Sequence, residues 1–212
     1  HRSDIISSLA VPLGIDVSDR TYEYFTDPES EKRAGDILKE KGTGRGKLVA
    51  LNPGGNWGPK RWPKERFRDL ALELLDAFGG IEIAITGSSK DVDLAGEIVS
   101  GVGSERCYSL AGSTGIKELA AIFKRCSLVV SADSGPLHLA SASGADTIGI
   151  FGPTSPELTG QRGRGINIMM HKPPDCRIPC YEKECPKSYE CMTAVTTQEV
   201  FLKAAEVLSL KT

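Results

Sequence analysis

From residue 48 onward, short apolar runs alternate with stretches whose apolar residues recur every three or four positions. The runs cover 48–51, 81–86, 108–110, 128–130, 147–151 and 166–170. Their length and β-branched content predict buried strands. Between the first two, residues 63–78 place Phe67, Leu70, Leu74 and Leu75 on one helical face, and Gly79-Gly80 supplies the stop. Residues 91–99, 116–123 and 137–142 have the same helical character, and a last helix is expected over 198–208. Strands separated by helices predict βαβ units and an α/β, Rossmann-like parallel sheet with flanking helices and right-handed crossovers.

The pattern is weaker upstream. Ile5, Ile6, Leu9, Ala10 and Leu13 carry helical spacing, with Gly14 as a stop. Residues 22–25 predict a short strand. A helix over 29–40 is opened by Asp27-Pro28, and Gly42-Thr43-Gly44-Arg45-Gly46 predicts a flexible turn. No internal repeat or low-complexity tract interrupts the chain.

Length and composition narrow the class. At about 150 residues per domain, 212 residues make one large domain, or one domain with appendages. Hydrophobic residues are 40% and charged residues 25%, enough to bury a core and to exclude disorder as the dominant state. A net charge of -2 offers no global basic field for nucleic acid. No apolar run approaches the roughly 18 residues of a membrane span, and the first residues lack a signal-peptide layout. The chain begins with His1 rather than Met, as expected of a fragment, a processed form or an expression product.

Ligands of open parallel sheets bind beyond the carboxyl ends of the strands, which directs attention to 52–62, 86–91 and 132–138. The first loop, Asn52-Pro53-Gly54-Gly55-Asn56-Trp57-Gly58-Pro59-Lys60-Arg61-Trp62-Pro63, joins a strand to a helix start. Its glycines let backbone N–H groups approach an anion, and Lys60 adds a point charge for a phosphate. Read blandly, it is a Gly/Pro-rich surface loop with a solvated Lys-Arg pair. In Ser131-Ala132-Asp133-Ser134-Gly135-Pro136-Leu137-His138, Ser134 and the Gly135 N–H suit phosphate oxygens at a helix start, and Asp133 suits sugar hydroxyls. The plainer alternative makes Asp133 or Ser134 an N-cap and His138 a satisfied core histidine. In Thr86-Gly87-Ser88-Ser89-Lys90-Asp91, Asp91 is either a ribose acceptor or a capping carboxylate. Residues 42–47 fit neither GxGxxG nor GxxxxGK[ST], and HExxH and GxSxG are absent.

Four of these segments together resemble the family 9 glycosyltransferases, the lipopolysaccharide heptosyltransferases. Residues 56–63 resemble their K-x-W-P loop, 131–140 their D-[ST]-G-x-x-H signature, Phe151-Gly152-Pro153-Thr154 their F-G-P-T turn, and 180–192 their C-x4-CP…CM segment. The resemblance implies the C-terminal domain of a GT-B glycosyltransferase. Residues 1–45 would be inter-domain linker and lead-in helices, and 46–212 a nucleotide-sugar donor-binding domain with a C-terminal helix. It implies an inverting, metal-independent enzyme that transfers heptose from ADP-heptose to a lipid A–Kdo type acceptor. The acceptor-binding N-terminal domain would carry the general base.

Carried over by residue, Gly55, Asn56, Lys60, Ser134 and Gly135 would hold the diphosphate, and Lys60 would stabilise the leaving group. Asp91 and Thr114 would bind the nucleoside, and Asp133 and His138 the donor sugar. The family usually has Glu where Asp91 stands, and some members have hydroxyl residues at Gly55 and Asn56 and Met at Thr114. The implied location is cytoplasmic, at the inner face of the inner membrane; the basic run Lys60, Arg61, Lys64, Arg66 and Arg68 is either a peripheral membrane contact or, more commonly for such a run, one solvated helix face. The final helix, through Phe201, Leu202 and Val207, would pack across to the missing domain.

Six cysteines add a separate question. Cys107 and Cys126 read as buried thiols. Cys176, Cys180, Cys185 and Cys191 could hold a structural zinc or an iron–sulfur cluster, although their spacing is not that of C-x2-C pairs. Reduced thiols or adventitious disulfides are the alternative. Two other classes therefore stay open: a nucleotide-sugar-binding module without activity of its own, and a metal-dependent interaction domain built on the cysteines.

Overall fold

Local chemistry sets the first elements. The computed structural model describes residues 1–41, 46–182 and 184–210. Helix α1 spans Arg2–Ser8 and gives way to a short 3-10 turn, Val11–Leu13. One helix through residue 13 was expected, but Pro12 cannot continue it: its ring clashes with the carbonyl four residues back and it lacks an N–H. Gly14 then takes φ +74°. Residues 22–25 are not a strand. They have no regular secondary structure and are held by Tyr22 N–H donating to the Arg162 carbonyl and Tyr24 N–H to the carbonyl of Ala142, the last residue of a helix, each at 2.8 Å. Helix α2, Pro28–Glu40, starts at Asp27, whose side chain accepts from Ser30 N–H. Residues 42–45 of the expected turn lie outside the described residues.

The sheet and its crossovers follow in order: β1 (Lys47–Asn52), α3 (Lys64–Ala77), β2 (Ile81–Ile85), α4 (Val92–Val102), β3 (Cys107–Ser109), α5 (Ile116–Phe123), β4 (Cys126–Ala132), α6 (Gly135–Ala142), β5 (Thr147–Phe151), α7 (Pro156–Thr159), β6 (Asn167–His171), α8 (Glu190–Thr193) and α9 (Thr197–Ser209). All strand pairs are parallel. The sheet order is β3-β2-β1-β4-β5-β6, the doubly wound nucleotide-binding order. The short helices α7 and α8 were not anticipated, being too brief to leave a period.

Two apolar layers enclose the sheet. On one side Trp62, Phe67, Leu70 and Leu74 join Ile98, Val200 and Val207; on the other Ala34, Leu110, Ile122, Phe123 and Ala140 cluster. Helix α9 therefore spends its apolar face on this domain's own core, and Phe201 packs there too. This corrects the expectation that Phe201 and Val207 reach toward another domain. Leu202 is exposed. The larger uncovered apolar set lies at Ile5, Ile6, Leu9 and Leu13. No helix among the described residues is long and apolar enough to cross a membrane.

Candidate functional site

The order of the sheet reverses between β1 and β4, and a crevice forms at such a switch point. Asn52 and Ser131 are register partners at the carboxyl ends of these two strands. The loops that follow them face each other across a cavity of about 490 Å³. Its wall includes Gly55, Asn56, Lys60, Asp91, Thr114, Asp133, Ser134 and Gly135, eight of the nine residues expected at a donor site. The volume lies in the range of small-molecule and cofactor pockets.

Each wall has a local cause. Arg61 donates through Nε and a terminal nitrogen to the Gly55 carbonyl, at 2.9 and 2.6 Å, and ties the first loop back on itself. Trp62 anchors the loop's end in the core: it is buried, donates to the Val195 carbonyl at 2.9 Å, and meets Phe67 edge-on at 5.0 Å. Helix α6 opens the second loop. Ser134 sits at its N-cap but makes no capping hydrogen bond with its side chain. Its hydroxyl instead lies 3.1 Å from Ser131 Oγ. The reading of Ser134 as only an N-cap therefore fails, and the helix start is left without a side-chain cap, a setting that favours an anion.

Asp133 is the electrostatic centre. It is buried, at 5% exposure. Its Oδ2 accepts from Lys60 Nζ at 2.6 Å and from Thr154 Oγ1 at 2.7 Å, and its Oδ1 lies 3.4 Å from His138 Nε2. Burial pushes its carboxyl up, and hydrogen bonds from His138, Lys60 and Thr154 outweigh this and hold it at about 2. Lys60 Nζ also lies 5.8 Å from the Trp57 ring centroid.

His138 does not line the cavity; it reaches the site through Asp133. Asp91 lines it while also closing a capping box, with Oδ2 accepting from Ser88 N–H at 2.9 Å and Ser88 Oγ at 2.6 Å. The capping role is thus formed, and it leaves the Asp91 side chain on the cavity wall. Thr114 stands beside Gly115, Ile116 and Leu119, an apolar edge of the kind that takes a base.

The four clustered cysteines do not meet the expectation of a metal centre. None of the six cysteines is in a disulfide. Cys180 N–H is fixed to the Pro153 carbonyl at 2.8 Å, Cys191 is half-buried, and Cys176 is exposed. Among the described residues no group of three or more His, Cys, Asp or Glu is placed to hold a metal ion.

Comparison with known proteins fits this geometry. The profile of glycosyltransferase family 9 (heptosyltransferase) matches residues 6–189. This chain belongs to that family. Lipopolysaccharide heptosyltransferase 2 of Salmonella typhimurium is 34% identical over 116 residues, which cover 53% of this chain and 33% of that protein. Lipooligosaccharide heptosyltransferase 2 of Campylobacter jejuni is 31% identical over 167 residues, covering 76% and 51%. Among solved structures, ADP-heptose LPS heptosyltransferase II of E. coli superposes with TM-score 0.72 at 22% identity, over 89% of this chain and 54% of that one. At that identity the likeness shows the fold, a GT-B type α/β domain. The chain spans a third to about half the length of these relatives.

Several residues at the site carry no signal in the sequence. Thr154 belongs to the F-G-P-T turn, which suggested no role for it, yet it bonds Asp133. The rule that selected loops after β1, β2 and β4 applies equally to the loop after β5, which carries Thr154. Asn52, buried at the end of β1, and Thr86, buried just after β2, open two of the selected loops but were assigned no role of their own. Periodicity carries no signal for a buried polar side chain.

Proposed function

We propose that this chain is the donor-binding half of an inverting glycosyltransferase, which transfers heptose from ADP-heptose to a lipopolysaccharide inner-core acceptor of the lipid A–Kdo type. The observation that carries the reading is the convergence of Lys60, Ser134 and the start of α6 on one cavity beside Asp91 and Thr114. The nucleoside would lie along Asp91 and Thr114, and the diphosphate along Gly55, Asn56, Lys60, Ser134 and Gly135. The transferred sugar would face Asp133, with His138 behind it. Family membership and the E. coli relative, an ADP-heptose LPS heptosyltransferase, support the choice of nucleotide and sugar.

Chemically, departure of the sugar leaves negative charge on the distal phosphate. Lys60 keeps two N–H donors beyond the one given to Asp133, and the uncapped α6 start adds its partial positive charge; both stabilise that charge as it grows. Charge stabilisation of this kind requires no metal. The acceptor hydroxyl must be deprotonated from the opposite face, by a general base supplied by an acceptor-binding N-terminal domain. Residues 1–45 would then be linker and lead-in, and 46–212 the donor domain. The lipid acceptor places the assembled enzyme in the cytoplasm, at the inner face of the inner membrane.

Calorimetric titration of the chain with ADP tests the reading, with UDP as control and Lys60→Ala as variant. Binding of ADP in preference to UDP, weakened at least tenfold by Lys60→Ala, is the expected result. No ADP binding by the chain, alone or joined to an acceptor-binding domain, would overturn it. Transfer from ADP-heptose should appear only with both halves present.

A further inference from the structure

A run of buried hydroxyl and amide groups passes beneath the cavity. Thr86 Oγ1 donates to Asn52 Oδ1 at 3.1 Å. One Asn52 Nδ2 proton faces Ser131 Oγ at 3.4 Å and the other the Gly54 carbonyl at 3.5 Å. Ser131 Oγ lies 2.9 Å from the Ala132 carbonyl and 3.1 Å from Ser134 Oγ. Thr86 and Ser131 are fully buried and Asn52 is 1% exposed. Three polar side chains in such a place are costly unless each is matched, and each of them has a partner.

Proton accounting gives the run a direction. Ser131 has a single hydroxyl proton. While that proton goes to the Ala132 carbonyl, the bond between the serines must use the Ser134 proton, and Ser134 offers the cavity only lone pairs. If the Ser131 hydroxyl turns to Ser134, the Ser134 proton is released toward the cavity. Asn52 supports both states, because its amide donates to Ser131 Oγ in either one. Thr86 fixes which end of the amide faces Ser131, since its hydroxyl donates to the amide oxygen and leaves the amide nitrogen to face the serine.

We propose that Ser131, oriented by Asn52 and Thr86, is a positioning residue whose hydroxyl rotor sets Ser134 as a hydrogen-bond donor to the distal phosphate of a nucleoside diphosphate. The second Asn52 proton holds the Gly54 carbonyl, so the same amide ties the loop after β1 to the loop after β4. This inference rests on the donor-site reading, in which Ser134 faces the phosphate beside Lys60 rather than the one next to the nucleoside.

The test is calorimetry of the whole chain with ADP and AMP, on Ser131→Ala, Ser134→Ala and the double variant. Ser134→Ala is expected to weaken ADP about tenfold, the scale of one hydrogen bond to a charged group; Ser131→Ala, which leaves the Ser134 hydroxyl unoriented, is expected to weaken ADP by a smaller factor of about three to five, and to change AMP less than about twofold, because AMP lacks the distal phosphate. In the Ser134→Ala background, Ser131→Ala should have no further effect on ADP. Equal losses for ADP and AMP, or additive losses in the double variant, mean a general packing role and overturn the proposal. Thr86→Val serves as the second probe if Ser131→Ala does not fold, and it should also weaken ADP more than AMP. Failure of the wild-type chain to bind ADP strikes the donor-site reading itself and this inference with it; normal ADP binding with unaffected variants strikes the inference alone.

Discussion

Lys60 Nζ stands 2.6 Å from Asp133 Oδ2, so the cation expected to meet a diphosphate is already matched to a buried carboxylate of the protein. The pair spans the switch point, with one partner on the loop after β1 and the other at the end of β4. Thr154, on the loop after β5, accompanies it from the third side. The three loops are thus joined through one carboxylate, and a change at any of them is felt at the others.

Removing the lysine should therefore have two separable effects. Lys60→Ala leaves Asp133 buried with only His138 and Thr154, which should cost about 1–3 kcal/mol of stability in chemical denaturation. Adding Asp133→Asn should recover most of that stability, because the stranded charge is gone. Nucleotide affinity should not recover with it. Recovery of both together would mean that Lys60 acts on the ligand only by keeping the loop folded.

Acid should act on the same carboxylate. The folded-state value for Asp133 of about 2 lies below its ordinary 3.8. Its contribution to stability is therefore complete above the unfolded value, and is lost as pH falls from about 5 toward 2. A shift of this size is on the order of 2 kcal/mol. Urea midpoints of wild type and Asp133→Asn should differ most at neutral pH and converge near pH 2. A gap that stays constant across that range would show that the pairing does not control ionisation.

The thiols give a check on the cysteine segment. Burial pushes Cys107 up to about 12, and burial together with the neighbouring Cys185 and Cys176 thiols raises Cys191. Cys126 is also buried. A thiolate-selective reagent at neutral pH should spare Cys107 and Cys126 in the native protein and react with them on unfolding. Cys176 should react first and Cys191 last of the outer four. Protection of all four outer thiols, reversed by a chelator, would show a metal held by these cysteines.

The parts legible in the sequence were those that repeat or that must bend. Strand runs such as 147–151 and amphipathic stretches such as 116–123 have a period, and both elements fall where it places them. The glycine- and proline-rich loops after β1 and β4 marked the cavity, because close approach to a ligand requires small residues. Illegible were the pairings across the crevice. Thr154 is 21 residues from Asp133 and Thr86 is 34 from Asn52, and no local pattern records which polar side chains meet. The start of the chain misled because apolar spacing at Ile5, Leu9 and Leu13 outlasts the helix that Pro12 breaks.

Backbone closeness makes Gly54 a sensitive position. A Cβ there would lie 2.8 Å from the Asp91 carboxyl carbon and from its Oδ2. Gly54→Ala must displace Asp91, breaking its bonds to Ser88 and disturbing the Gly54 carbonyl that Asn52 holds. A loss of nucleotide affinity of tenfold or more is expected, with a melting temperature lowered by only a few degrees. Gly58→Ala, where nothing lies within 4 Å, is the control in the same loop and should bind like wild type. Equal behaviour of the two variants would remove Asp91 from the site.

Trp62 links the binding loop to the C-terminal helix, and two substitutions separate its packing from its hydrogen bond. The side chain is buried against Phe67, so Trp62→Ala opens a large cavity and should cost about 3–5 kcal/mol. Trp62→Phe keeps most of the apolar volume and removes the indole N–H. The Val195 carbonyl is not stranded by that change, because Arg66 also donates to it. Trp62→Phe should therefore cost closer to 1 kcal/mol, the net scale of a single hydrogen bond, and urea unfolding would read the difference directly. If Trp62→Phe cost as much as Trp62→Ala, the indole hydrogen bond rather than apolar burial would be what fixes the end of the Lys60 loop, and nucleotide affinity should then fall in both variants alike.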